Sequence, residues 1–161
     1  TFLRPPQDCK KLLDEVAASI PEKKPARNFG SRLVLQRKIG ATDRRTIHGF
    51  DRIVDGLEAH GYQTVDPASL SVAEQKYVFA RASHVVGENG AAFANMIFAR
   101  GGQKIDALIC NKYATDTFQI LAKALGHVHR SHFLPSIRTK DGYDAYITEE
   151  AHDLLLQRIL T

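Results

Sequence analysis

At 161 residues, with 43% hydrophobic and 25% charged content, the chain has the size and composition of one globular domain with a substantial core. No apolar run approaches the roughly 20 residues of a membrane-spanning helix, and the polar, charged residues 1–30 carry no secretory signal. The net charge of +4 is concentrated early: residues 1–50 hold 11 Lys and Arg against 5 Asp and Glu, and residues 51–161 hold 11 against 13.

That basic excess suits an anionic ligand near the first strand. It is not a continuous basic stripe interleaved with aromatic residues, so nucleic acid is set aside as a partner. Cys9 and Cys110 have neither CxxC spacing nor the numbers for a disulfide scaffold, and are read as free thiols in a reducing compartment. The chain opens on Thr1 rather than Met, which is read as the start of a piece of a longer protein.

In chain order, Leu12, Leu13, Val16, Ala17 and Ile20 give helical spacing over Cys9–Ile20, and a basic, proline-containing linker follows to Gly30. RLVLQ (32–36) reads as a strand, and Arg37–Gly49 as a polar loop. A helix through Ile53, Val54, Leu57 and Glu58 is stopped by Gly61, ahead of a strand at Tyr62–Val65. Ser71-Val72-Ala73-Glu74 has the form of a capping box opening a helix to about Ala82.

A buried strand at His84–Val86 leads into Gly87-Glu88-Asn89-Gly90 and an apolar helix over Ala91–Ala99. A strand at Lys104–Ile109, a helix over Thr115–Leu125 stopped by Gly126, and a strand near Val128–Phe133 follow. Thr148 caps a last helix with Ala151, Leu154, Leu155 and Ile159 on its apolar face. Strands alternating with helices predict an α/β fold, a doubly wound and mostly parallel sheet of about five strands. Such sheets bind ligands beyond the carboxyl ends of their strands, which directs attention to 37–49, 66–71, 87–90 and 110–115. The expected organisation is an N-terminal helix and linker (1–30), the sheet domain (31–135), and a C-terminal turn and helix on the same domain (136–161).

Within the Gly87–Gly90 turn, two glycines permit close approach to the backbone, and N–H groups opening the next helix suit a phosphate. The same residues equally describe an ordinary turn in which Asn89 caps the helix. Asn95 is a polar residue in an apolar helix, most simply a buried amide satisfied by a loop carbonyl. Arg37, Arg44 and Arg45 follow the first strand, where guanidinium groups can clamp phosphate oxygens. The capping box accounts for Glu74 and leaves Gln75 open. His127, His129 and His132 form HxHxxH, but strand alternation turns His132 away from the other two and no cysteine completes a metal set, so no metal site is assigned. The chain has no GxSxG elbow, Walker A motif or GxGxxG fingerprint.

Taken as an ordered set, these segments resemble family 61 glycosyltransferases of the capsular polysaccharide biosynthesis type, in their C-terminal half. RLVLQRKIGATDRRTI places Arg37 and Arg45 at the family's two arginines. GYQTVDPASLSVAEQ supplies Gly61, Tyr62, Val65, Leu70, Ser71, Glu74 and Gln75. ASHVVGENGAAFANMIF matches the family signature at Gly87, Gly90, Ala91, Phe93, Asn95 and Phe98. Two positions depart from the pattern: Asn89 stands where relatives carry His, and Gly49 where they carry Asn.

The resemblance implies the Rossmann-like C-terminal domain of a GT-B architecture. Its function would be to bind the donor for an inverting transferase that moves a sugar from a nucleotide-sugar to a polysaccharide or glycoconjugate acceptor. A UDP-sugar leads the candidates, with no tightly bound cofactor and no required metal. It further implies Arg37, Arg45, Gly87, Asn89, Gly90, Ala91 and Asn95 as donor-binding residues, with Arg44, Gln75 and Glu74 as secondary candidates. The catalytic base is expected on an N-terminal domain that this chain lacks. The setting implied is bacterial and cytoplasmic, peripheral to the inner membrane in a polysaccharide assembly system. The alternative is a Rossmann-like nucleotide-binding or assembly module without catalysis.

Overall fold

The computed structural model describes residues 7–36, 45–113, 115–140 and 142–161. In order, the elements are α1 (Gln7–Ser19), β1 (Arg32–Leu35), β2 (Arg45–His48), α2 (Phe50–Ala59), β3 (Gln63–Val65) and α3 (Val72–Phe79). They continue with β4 (His84–Glu88), a 3₁₀ segment (Ala91–Phe98), β5 (Lys104–Cys110), α4 (Thr117–Leu125), β6 (Val128–Leu134), β7 (Ser136–Arg138), β8 (Tyr143–Tyr146) and α5 (Glu149–Leu160).

Five strands form one sheet in the order β3-β1-β4-β5-β6, every neighbouring pair parallel. This is a Rossmann-like, doubly wound sheet with the flavodoxin-type order, in which the chain moves outward from β1 in both directions. Alternation along each strand supplies both faces, as a sheet buried on two sides requires. Val34, Val86 and Leu108 pack with Phe50, Ile53 and Leu57 of α2 and with Leu155 and Ile159 of α5. Leu33, Val85, Ile105 and Ala107 pack on the other face with Val78 and Phe79 of α3, with Phe93 and Met96, and with Ala122 of α4.

Several predicted elements shift. The expected polar loop 37–49 contains β2, whose partner is β8, almost 100 residues later. With β7 these two make a second, three-stranded sheet. A four-residue strand held by so distant a partner leaves little local periodicity to read. The expected helix after β4 winds as 3₁₀, where Nδ2 of Asn95 donates to the carbonyl of Ala92 at 3.1 Å and so competes for the backbone acceptor. The predicted apolar faces of the end helices are incomplete. Leu12 and Val16 of α1 and Leu154 of α5 are exposed, while Leu156 packs against the core. The α1 end is instead tied by polar contacts, Lys76 Nζ donating to the carbonyls of Ala17 (2.7 Å) and Ile20 (2.5 Å).

Across the middle of the sheet, on the α2/α5 face, lies a polar network that the sequence reading missed. Asp106 of β5 is fully buried. Its carboxylate accepts from Nε2 of His84 (2.6 Å), Nε2 of His132 (2.6 Å) and both Nε (2.8 Å) and Nη2 (2.9 Å) of Arg130. With Nε2 of His84 donating, Nδ1 of that ring receives the phenol hydrogen of Tyr62 at 2.5 Å. Burial pushes the Asp106 carboxyl upward, but the donors from His132, His84 and Arg130 outweigh it and hold the group well below the usual carboxylate range. Burial raises the Tyr62 phenol, consistent with its donating role.

The same contacts resolve HxHxxH. His132 turns to Asp106, whereas the ring of His127 lies between the N–H of Gln103 and the carbonyl of Met96. Nδ1 of His129 is 3.4 Å from the hydroxyl of Ser131. The three rings therefore serve separate surroundings.

Removing the Asp106 carboxylate leaves Arg130 charged in a half-buried site, so Asp106→Ala is expected to cost about 3–5 kcal/mol in urea denaturation at pH 7. A depressed folded pKa means that this contribution is complete above the ordinary carboxylate pKa near ~4 and fades as pH falls below it. The gap between wild type and Asp106→Ala should therefore narrow between about pH 5 and pH 3; an unchanged gap would contradict the assignment.

Candidate functional site

The order reversal lies between β1 and β4, since β1 continues to β3 on one side and the chain later returns to β4 on the other. Beyond the carboxyl ends of these two strands opens a cleft of about 610 Å³. Gln36 follows β1 on its wall, and the Asp66–Ala68 turn follows β3. Glu88 to Ala92 follow β4, with Asn95 beside them. His48, Gly49, Phe50 and Asp51, from the end of β2 and the start of α2, also line it. This is the place where a doubly wound fold takes its ligand.

Gly87 lies just beneath the cleft. It pairs with Leu35 across the parallel ladder, and a Cβ at this position would sit 2.9 Å from Cβ of Leu35. Its missing side chain serves the close approach of β1 and β4, and Gly87 is not among the lining residues. Asn89 is buried, with its backbone N–H donating to the carbonyl of Leu108 at 2.8 Å. Gly90 is extended (φ 178, ψ 179), a conformation open to any residue. The start of the 3₁₀ segment, at Ala91 and Ala92, forms part of the wall, and the carbonyl of Gly90 already accepts from the N–H of Phe93.

Gln75 and Glu74 sit in the first turn of α3, after the turn that follows β3. Ser71 and Glu74 form the predicted capping box, with Ser71 N donating to Glu74 Oε2 (3.0 Å) and Glu74 N to Ser71 Oγ (3.4 Å). Hydrogen bonds from Ser71, aided by Lys23, hold the half-buried Glu74 carboxyl down to about 2. Glu74 thus belongs to the helix start and is absent from the cleft wall. Gln75 does line the cleft, and its amide donates to the carbonyls of Pro67 (2.9 Å) and Leu70 (3.0 Å). It fixes the turn that carries Asp66.

Arg37 and Arg44 lie outside the described residues, as does the side chain of Arg45, whose backbone opens β2. Among the described residues on the cleft wall are three carboxylates, Asp51, Asp66 and Glu88, and neither Lys nor Arg. Sequence reading did not single out the first two of these as site residues, nor His48. The signal available for Asp66 was its place directly after a strand, at the carboxyl edge already marked as the ligand side. His48 is brought in by β2: its Nε2 lies 3.2 Å from Asp144 Oδ2, and its ring stacks on Tyr146 with centroids 4.5 Å apart.

Gly49 takes up the left-handed region (φ 84) at the N-cap of α2, and a Cβ there would lie 3.0 Å from the carbonyl oxygen of Ile147. Glycine and, less freely, asparagine adopt this conformation. Gly49 therefore suits this turn and puts no polar side chain on the cleft wall.

The fold is that of a Rossmann-like domain with a cleft at its topological switch point. The Glycosyltransferase 61 family model matches residues 4–105, which include every residue lining the cleft, and the chain belongs to that family of glycosyltransferases. A comparison with curated proteins found no match. No helix among the described residues is long and apolar enough to cross a membrane.

The amide of Gln75 gives a direct check on the turn beneath Asp66. Gln75→Ala removes the donor to two carbonyls and is expected to cost about 1–3 kcal/mol in urea denaturation. Gln75→Glu, nearly identical in shape but presenting an acceptor to acceptors, should cost at least as much. Wild-type stability in both variants would refute the bracing role.

Proposed function

We propose that this chain is the donor-binding domain of an inverting glycosyltransferase, the C-terminal domain of a GT-B arrangement. It takes a nucleotide-sugar, with a UDP-sugar the leading candidate. The observation that carries the proposal is the coincidence of the switch-point cleft with the family signature, Asn89, Gly90, Ala91 and Asn95 lying at the cleft and Gly87 supporting it from beneath. In sequence, Arg37 and Arg44 lie between β1 and β2, and Arg45 opens β2. Guanidinium groups in such a segment suit a diphosphate bearing two or three negative charges.

In such a transfer an acceptor hydroxyl oxygen forms a bond to the anomeric carbon of the sugar while the bond to the nucleoside diphosphate breaks. The acceptor proton passes to a general base and the electron pair leaves with the diphosphate. Arginines at the β1–β2 segment and N–H groups at the start of the 3₁₀ segment stabilise the leaving charge without calling on a metal. The base is assigned to an N-terminal domain across the cleft, and the acceptor to a polysaccharide or glycoconjugate. A bacterial, cytoplasmic setting at the inner membrane fits such a product.

A second reading, a nucleotide-binding module without turnover, is favoured by Asn89. An amide at the position where relatives carry imidazole donates and accepts hydrogen bonds but exchanges no proton near neutral pH.

Calorimetry of the chain with UDP, GDP and CMP is expected to show binding of at least one, weakened about tenfold or more by Arg45→Ala through loss of a charge-assisted contact. No binding by folded protein would end the donor-site reading. Binding without sugar transfer by the protein joined to its second domain would select the module without turnover.

A further inference from the structure

Resting on the donor-site reading, the geometry points to Asp66 as the residue that takes the ribose hydroxyls of the donor and so selects ribonucleotides. Four observations converge on it. Asp66 is the first residue after β3, the second strand of the β1-α2-β3 unit, and it lines the cleft. In parallel αβ sheets this is the point where a carboxylate can reach the sugar of a nucleotide whose phosphates lie at the neighbouring strand ends.

Its carboxylate is also held in place. Oδ1 accepts from the N–H of Ala68 at 3.0 Å, and the backbone carbonyl of Asp66 accepts from the N–H of Ser69 at 3.0 Å and from its hydroxyl at 2.7 Å. Behind the turn, Gln75 grips the carbonyls of Pro67 and Leu70. Capping this turn needs one acceptor, whereas a carboxylate has two oxygens, and no described donor reaches Oδ2.

The chemistry of the wall decides what Oδ2 is for. A carboxylate oxygen such as Oδ2 of Asp66, which faces no described donor, accepts a hydroxyl donor and does not take an anionic group. A nucleotide-sugar offers both kinds of group. Its diphosphate belongs with the arginines of the β1–β2 segment, and the vicinal hydroxyls of its ribose belong at the β3 end with Asp66. The donor thus runs across the strand ends with its nucleoside over β3, and its transferred sugar points toward β4 and His48.

The test uses the 161-residue chain and calorimetric titration with UDP and 2′-deoxy-UDP, with GDP, CMP and their 2′-deoxy forms alongside. Wild type is expected to prefer the ribo form by about tenfold, the effect of one hydrogen bond to a charged group. Asp66→Asn keeps a side-chain cap but presents an NH₂ in place of the second acceptor. It should weaken UDP about tenfold while changing 2′-deoxy-UDP less than about twofold, so that the preference disappears. Asp66→Ser, which also caps, should behave alike and carries the test should Asp66→Asn fold poorly. An unchanged ribo preference in folded variants, or equal binding of the two forms by wild type, overturns the assignment while leaving the donor site standing. Failure of wild type to bind any of the ribonucleotides removes the donor site itself, and Asp66 with it.

Discussion

The order reversal between β1 and β4 is the constraint from which the rest of the molecule follows. Parallel neighbours cannot be joined by tight turns, so each strand connection has to cross a face of the sheet. Because the chain leaves β1 toward β3 and then returns past it to β4, α2 and α3 pack on opposite faces. Their loops diverge above these two strands, and the space between them is the cleft. Gly87 keeps β1 and β4 in close contact beneath it, since any side chain there would press on Leu35. The opening is thus floored by two closely apposed strands.

The sheet imposes a second requirement in its interior. Asp106 occupies a position where alternation calls for an apolar residue, and the cost of burying it is offset by four hydrogen bonds drawn from β4 and β6. These bonds run perpendicular to the strands and tie three of them together from the side chains. His84, at the start of β4, lies at the end of that strand opposite the cleft. A buried polar group need not belong to a functional site, and here the strand ends separate the two roles.

Where order is local, the sequence was legible. Strand periodicity, the Ser71–Glu74 capping box and the left-handed Gly61 and Gly126 predicted five strands and their helices closely, because each depends on neighbours within a few residues. The Gly87–Gly90 turn was marked because it follows a strand, and its later residues do line the switch-point cleft, although its local chemistry left a plain turn equally open. What escaped depends on distant partners. β2 becomes a strand only with β8, and His48 reaches the cleft only through that pairing. Asp106, His84 and His132 meet across adjoining strands, so their separate places in the sequence carry no sign of a network. Asp66 stood at a marked strand end, but its capping contact becomes visible only with the Pro67–Ser69 turn in place.

The two departures that the resemblance marked, Gly49 and Asn89, act on different physical levels. At position 49 the backbone demands positive φ, which glycine meets at least as well as asparagine, so the exchange alters the cleft wall and spares the fold. At position 89 the backbone is ordinary strand exit, anchored on Leu108, and the side chain is buried. The substitution there is chemical. An amide fills much of the space of an imidazole and retains hydrogen-bonding capacity, but it cannot carry a positive charge toward a departing diphosphate. On the donor-site proposal, that charge is the part assigned to Arg37, Arg44 and Arg45, which the sequence places after β1 and up to the first residue of β2.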